Sequence, residues 1–492
     1  MNPAFRLVDY IVLFAYIGGV IAVGAAFAGR QETARDYFLG SRGLPWWAIC
    51  FSVVATETSA LTVISLPATA YQSDFWFLQL AIGYLFGRAI VAVLLLPRYF
   101  RGELVTAYAF LGQRFGPETR RFASILFMVT RALADSVRIF AAAIPVRLIT
   151  GVPYWQAIAV AGLVTLAYTY IGGLRAVVWI DVIQMVLYLV AGIAALIVLA
   201  RLVPGGVAAI IDTGQDAGRF RVFHPEGGFA DARWLWTGIV GGGFLSMASH
   251  GVDHLIVQRL LAARSLGDAR KAVLLSGVIV FFQFALFLFV GAGLFTYYQG
   301  ATFDTPDEVF PRFIVEGLPP GLSGLLVAGI LAAMMSTVSS SLNSLASAAT
   351  NDVWAPLAGR ENDEQALLRM GKRFTLAWGV VLVGGAILFQ LVQQGTPIVV
   401  IALQIASFTY GGLLGGFLLG VLSTRATQRD ALFGMGVATA IMIVFWAAQQ
   451  FEWIPRMADT LWFALFGSLL TLVIGEASAR LRGEEPRSDP TP

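Results

Sequence analysis

The chain has 492 residues, 58% of them hydrophobic and only 13% charged, with a mean hydropathy of +0.75. That composition excludes a soluble globular domain and defines an all-α polytopic membrane protein. The net charge of +3 is spread over short connections, mostly as arginines, so no basic face marks a nucleic-acid partner. The single cysteine, Cys50, excludes an internal disulfide, a cysteine-rich metal site and a CxxC redox pair.

The first predicted element covers 8–28. Its AFA end resembles a signal-peptide cleavage site, but the run is long enough to span, and Arg6 is offset by Asp9. It is read as a retained helix. Further apolar runs, each able to cross about 30 Å of hydrocarbon, lie near 46–71, 75–97, 122–149, 153–172, 176–202, 234–257, 272–299, 322–348, 373–394, 396–423, 430–450 and 459–478. About 13 transmembrane helices are expected.

Basic residues cluster in alternate connections, at Arg30/Arg35/Arg42, Arg98 to Arg121, Arg259 to Lys271, Arg360 to Arg373, Arg425/Arg429 and Arg480 to Arg487. The positive-inside rule then puts the N-terminus outside and the C-terminus in the cytoplasm, in the inner (plasma) membrane. An odd number of spans requires the same. The connections at 203–233 and 300–321, the second with Asp304, Asp307, Glu308 and Glu316, are expected outside as ordinary surface loops. Residues 1–480 read as one membrane domain and 481–492 as a short cytoplasmic tail, disordered by composition and too short for an appended soluble domain.

Polar residues at mid-depth must face protein or water, since an ionised group in hydrocarbon costs at least about 2.5–3.5 kcal/mol. The second span carries Thr56, Glu57, Thr58, Ser59, Thr62 and Pro67, which loosen the backbone ladder and free carbonyls to act as ligands. Five spans later GIVGGGFLSMASHGVDH interrupts another apolar run with Gly241 to Gly243, Ser246, Ser249 and Gly251. Matched interruptions point to an inverted-repeat transporter with its site at the bilayer midplane. The alternative is that the glycines merely permit close helix packing.

In the ninth span, LAAMMSTVSSSLNSLAS, a helix puts Ser336, Ser340, Asn343, Ser344 and Ser347 on one face, flanked by Thr337 and Ser339. Hydroxyl oxygens are hard, neutral donors suited to a small alkali cation. Hydrogen bonds that glue helices together are the alternative. Asp181 lies roughly 9 Å inside its span and could complete a cation site with the serines, or could reach water at the interface.

Arg131, Asp135 and Arg138 share a face of the fourth span. Arg131 either receives a substrate carboxylate, which its planar fork suits, or is neutralised by Asp135. His250, Asp253 and His254 have metal-ligand spacing without a third motif, and are read as a surface cap at a helix end.

DYFLGSRGLPWW, YTYIGGLRAVVWIDVIQ, VQRLLAARSLGDARKA and ILAAMMSTVSSSLNSLASAATNDVW together resemble the sodium:solute symporter family, over nearly the whole chain. The resemblance implies a leucine-transporter-like fold of two inverted five-helix repeats, at 46–202 and 234–423, with one extra helix before (8–28) and two after (430–478). It implies a first sodium site at Ala55, Thr58, Ala333, Ser336 and Thr337, and a second at Asp181, Ser339 and Ser340. It implies substrate contacts from Glu57, Ser59, Thr62, Phe75, Gln79 and Arg131. Glu57 departs from the family pattern, where a smaller or neutral residue is common, and is suited to an amine, a proton or sodium.

The expected function is sodium-coupled symport of a small polar solute, carboxylate-bearing if Arg131 is its receiver, by alternating access. Sodium, the solute and the lipid bilayer are the expected partners, with no obligatory protein partner. Proton coupling through Glu57 and Asp181 is the rival within transport. A polytopic enzyme would need a catalytic motif that the connections lack, and a sensor an attached signalling domain.

Overall fold

The computed structural model describes residues 5–26, 31–40, 43–102, 104–303, 306–392 and 398–486. Arg30, Arg42, Asp304 and the tail from 487, all used in the charge pattern, lie outside these residues. Every apolar run of the sequence falls on a helix. In chain order these are α1 (Leu7–Ala26), α2 (Ala34–Leu39), α3 (Trp46–Glu57), α4 (Ala60–Gln72), α5 (Phe77–Ile90), α6 (Leu96–Arg101), α7 (Ala109–Arg114), α8 (Pro117–Thr150), α9 (Tyr154–Leu202) and α10 (Gly206–Asp216). There follow α11 (Gly242–Gly251), α12 (His254–Leu261), α13 (Leu266–Tyr297), α14 (Val309–Glu316), α15 (Leu322–Ala348), α16 (Ala355–Ala358), α17 (Glu364–Val392), α18 (Ile398–Leu422), α19 (Gln428–Gln450) and α20 (Phe463–Leu481).

Among the described residues, eight helices are individually long and apolar enough to cross a membrane, and the bent pair α3–α4 makes a ninth. Two expected spans merge in α9. Its 49 residues are too many for one crossing of about 30 Å at 1.5 Å per residue, and they form two helices kinked at Gly173, with φ 55° and ψ −157°. A Cβ there would sit 2.6 Å from the Tyr37 carbonyl oxygen, so both the positive φ and the contact require glycine. Two sequence motifs, DYFLG and YIGGL, thus meet backbone to backbone.

Two helices at corresponding places are broken. Between α3 and α4 the chain is extended at Thr58 and Ser59, and the two halves meet at 61°. Between α11 and α12 the break is at Val252 and Asp253, with Asp253 capping α12 through its bond from the Leu255 amide, 2.9 Å. The triple glycine lies ten residues before this break and serves packing instead. A Cβ on Gly242 would lie 2.7 Å from Leu80 Cδ1, and one on Gly241 3.0 Å from the Leu461 carbonyl.

α15 is the centre of the molecule. From Leu326 to Ala349 every residue is buried, which is why its polar face needs partners inside the protein.

Candidate functional site

Because Thr58 and Ser59 are extended, the last carbonyls of α3 lack the amides that would continue the helix. They carry the negative end of the half-helix dipole. Ala55 and Thr58 lie at that end, and Ala333, Ser336 and Thr337 lie on α15, which packs against α3. Thr56 Oγ1 is 3.1 Å from Ser340 Oγ across this contact. Thr337 Oγ1 donates to the Ala333 carbonyl at 3.1 Å. Thr58 Oγ1 and the Gln283 side chain exchange hydrogen bonds at 2.8 and 3.1 Å, so the hydroxyl anchors the break to α13 and leaves the carbonyl as the group offered.

Beside the break is a cavity of about 300 Å³, the size of a small organic solute. Glu57, Ser59, Thr62 and Arg131 line it, and so do Arg138, His250, Asp253 and Tyr410. Phe75 and Gln79 are placed elsewhere. Phe75 stacks edge-on with Phe220 at 5.0 Å. Gln79 donates to the Arg233 carbonyl at 2.9 Å and accepts from the His224 amide at 3.1 Å. These two residues hold the 203–233 connection down, which carries α10 and is more than an ordinary surface loop.

The charged groups of the cavity come in pairs. Arg88, fully buried, donates to Glu57 and, at 2.7 Å, to Ser276. His250 Nε2 is 3.5 Å from Glu57 Oε2. Arg131 makes a two-bond contact with Asp135 at 2.9 and 3.0 Å and reaches Asp253 and the Tyr410 hydroxyl, each at 3.3 Å. Ser341 donates to the same Asp135. Arg131 is therefore engaged by two carboxylates, not by Asp135 alone.

Asp181 is wholly buried. It accepts from Ser336 at 2.7 Å, from Ser52 at 2.6 Å and from Arg259 at 3.1 Å. Arg259 also donates to Ser340 and, at 2.8 Å, to Ser52. Ser339 bonds the Ser336 carbonyl at 3.0 Å. The structure thus brings Asp181, Ser336 and Ser340 together and puts a guanidinium among them.

The rest of the hydroxyl face is occupied by α12. His254 Nε2 meets Ser347 at 3.1 Å and Gln258 donates to Asn343 at 2.6 Å, so with Arg259 on Ser340 three polar side chains of α12 are stitched to α15. The surface-cap reading of His250, Asp253 and His254 is corrected, since their exposures are 1%, 1% and 0%. Arg259 counted in the sequence as part of a loop charge cluster. The spacing 254, 258, 259, which places all three on one helical face, was the signal that could have found it.

Two interrupted helices facing each other around a central cavity define a secondary transporter of the leucine-transporter-like, inverted-repeat class. A solved structure of a sodium-coupled sialic acid symporter, substrate-bound and outward-open, superposes with a TM-score of 0.86 at 27% identity, covering 98% of this chain and 99% of that one. Mhp1, a nucleobase-cation-symport-1 transporter, shares the fold at a TM-score of 0.56 and 14% identity, over 94% and 98% of the two chains.

Residues 37–438 match the sodium:solute symporter family, and the chain belongs to it. It is 29% identical to the sodium/sialic acid symporter NanT of Aliivibrio fischeri over 99% of this chain and 95% of that one. It is 29% identical to SiaT of Proteus mirabilis, over 97% and 96%, and 30% identical to human sodium-coupled monocarboxylate transporter 1, over 89% and 73%. The protein is a multi-pass membrane symporter that couples solute transport to sodium.

Proposed function

We propose that the protein takes up a small carboxylate-bearing solute with sodium, across the inner membrane, with its N-terminus outside and its C-terminus in the cytoplasm. The orientation rests on the alternation of basic loops. The substrate class rests on the cavity, whose arginines suit a carboxylate, and on relatives that are sialic acid and monocarboxylate symporters. No enzymatic step and no obligatory protein partner are needed for this reading; the lipid bilayer is its setting.

The observation that carries the sodium assignment is the free carbonyl end of α3 against the hydroxyls of α15. A first sodium held by Ala55, Thr58, Ala333, Ser336 and Thr337 would tie the broken helix to α15. Tying them favours one conformation, which is what coupling requires. Solute then binds next to Glu57, Ser59, Thr62 and Arg131. The repeats at 46–202 and 234–423 rock about this centre, and both cargoes leave inside. Each sodium contributes about 2.3 kcal/mol per 100 mV plus its gradient.

A second sodium at Asp181, Ser339 and Ser340 would have to share the carboxylate with Arg259. Proton coupling is disfavoured by the same kind of contact, because Glu57 and Asp181 are each already paired with an arginine. The deciding experiment is uptake into proteoliposomes across monocarboxylates, sialic acids, amino acids and sugars. The reading requires an acid taken up in a sodium gradient; uptake driven equally by a pH gradient without sodium would overturn it.

A further inference from the structure

Resting on the carboxylate reading above, we infer that Arg138 is the residue that receives the solute's carboxylate, and that Arg131 is its structural support. The two arginines are seven residues apart on α8, about 20° apart around the helix and roughly 10 Å apart along it. Both line the cavity. Arg138 lies toward the Thr150 end of α8, which the proposed orientation puts outside, so an incoming solute reaches it first.

Their states differ. Arg131 is 2% exposed and spends its donors on Asp135, Asp253 and Tyr410. A solute carboxylate binding there would displace a buried carboxylate and leave it without a counter-ion. Arg138 is 21% exposed at its side chain. Among the described residues it makes one hydrogen bond, from Nη1 to Asp135 Oδ1 at 3.3 Å. That oxygen already accepts a shorter bond from Arg131 Nη2, 2.9 Å, while Asp135 Oδ2 accepts from Arg131 Nε and Ser341. Arg138 is thus the outer and weaker partner of a carboxylate that is already satisfied. A guanidinium has five N–H donors in a fork that matches a carboxylate with two parallel bonds. Asp135, braced by Arg131, then aims that fork into the cavity.

Charge counting agrees. Arg131 and Arg138 together face Asp135 and Asp253, and Arg88 faces Glu57. These groups sum to zero, so an anion at Arg138 leaves a net negative charge that an entering sodium neutralises. That makes acid binding sodium-dependent.

The test uses the full-length protein with pyruvate, lactate and N-acetylneuraminate, each compared with its uncharged amide, by sodium-dependent thermal shift and by uptake. Wild type is expected to respond to at least one acid and to reject its amide. Arg138→Gln should raise the KM for that acid about tenfold or more and lose the preference for acid over amide. Its melting temperature in sodium alone should stay at the wild-type value. Arg138→Lys should recover part of the affinity. Arg131→Gln should lower the melting temperature before any solute is added. If Arg138→Gln keeps both the KM and the acid preference, the assignment is overturned. If wild type responds to no acid, the carboxylate reading itself fails, and the role of Arg138 with it.

Discussion

Arg259 and Asp181 meet at 3.1 Å with both side chains completely shielded from solvent. The pair joins α12 to α9 and, through Ser340 and Ser336, both helices to α15. Removing one member of such a pair strands a charge, at a cost of about 3–5 kcal/mol, whereas removing both is far milder. Arg259→Gln and Asp181→Asn should each lower the melting temperature sharply, and the double variant should recover much of the loss. Thermal melts of all four proteins at low and high sodium read this out. Arg259→Gln should also gain extra stabilisation from sodium, which can replace the missing cation at Asp181. Equal sodium responses in wild type and Arg259→Gln would refute that exchange.

The first sodium site is tested through Thr337, whose hydroxyl bonds only the Ala333 carbonyl of its own helix among the described residues. Thr337→Ala should fold normally and lose sodium-dependent stabilisation. In wild type this amounts to about 2.7 kcal/mol at a hundredfold excess over Kd. Ser336→Ala removes the bond to Asp181 as well, so the double variant should lose uptake altogether. Full sodium-driven uptake by the double variant would remove these residues from the site.

Gly173 should tolerate no side chain. Alanine there faces the strain of a positive φ and a Cβ 2.6 Å from a main-chain oxygen that cannot swing away. The expected loss is more than about 2 kcal/mol, seen as reduced folded yield and a lower melting temperature. Gly218, also at positive φ but with nothing within 4 Å of its Cβ, is the control and should lose far less.

The α12 contacts must break for α12 to swing away from α15. Gln258→Leu leaves Asn343 without that partner, a penalty of about 1–3 kcal/mol borne by the conformation in which the helices touch. The variant should populate the opposite conformation more. Cys50, the single cysteine of the chain, is fully buried, so a cysteine introduced at the Leu261 end of α12 can be followed by labelling rate after Cys50→Ser. Faster labelling in Gln258→Leu is expected, and an unchanged rate would show that the contact does not hold α12 against α15.

Much of the fold is legible in the sequence. Hydropathy located the helices, because a bilayer imposes a length that composition alone reveals. The break at Thr58 and Ser59 was announced by the hydroxyls of that span, while Pro67 lies inside α4. The second break falls within GIVGGGFLSMASHGVDH, directly after Gly251 and not at the triple glycine. Gly241 and Gly242 give neighbouring helices room to approach, while the interruption falls at Val252 and Asp253, where a carboxylate caps the next helix.

The periodicity of the ninth span established that α15 has a polar face, since a helix repeats every 3.6 residues whatever surrounds it. It could not say what that face would meet. Only the fold decided that α12 supplies partners for Ser340, Asn343 and Ser347, that Asp181 carries a guanidinium, and that Gln79 of α5 pairs with the 203–233 connection instead of lining the cavity. Those outcomes depend on which residues, tens to hundreds of positions apart, are brought to hydrogen-bond distance. Spacing along one helix is a local property, and contact between helices is not.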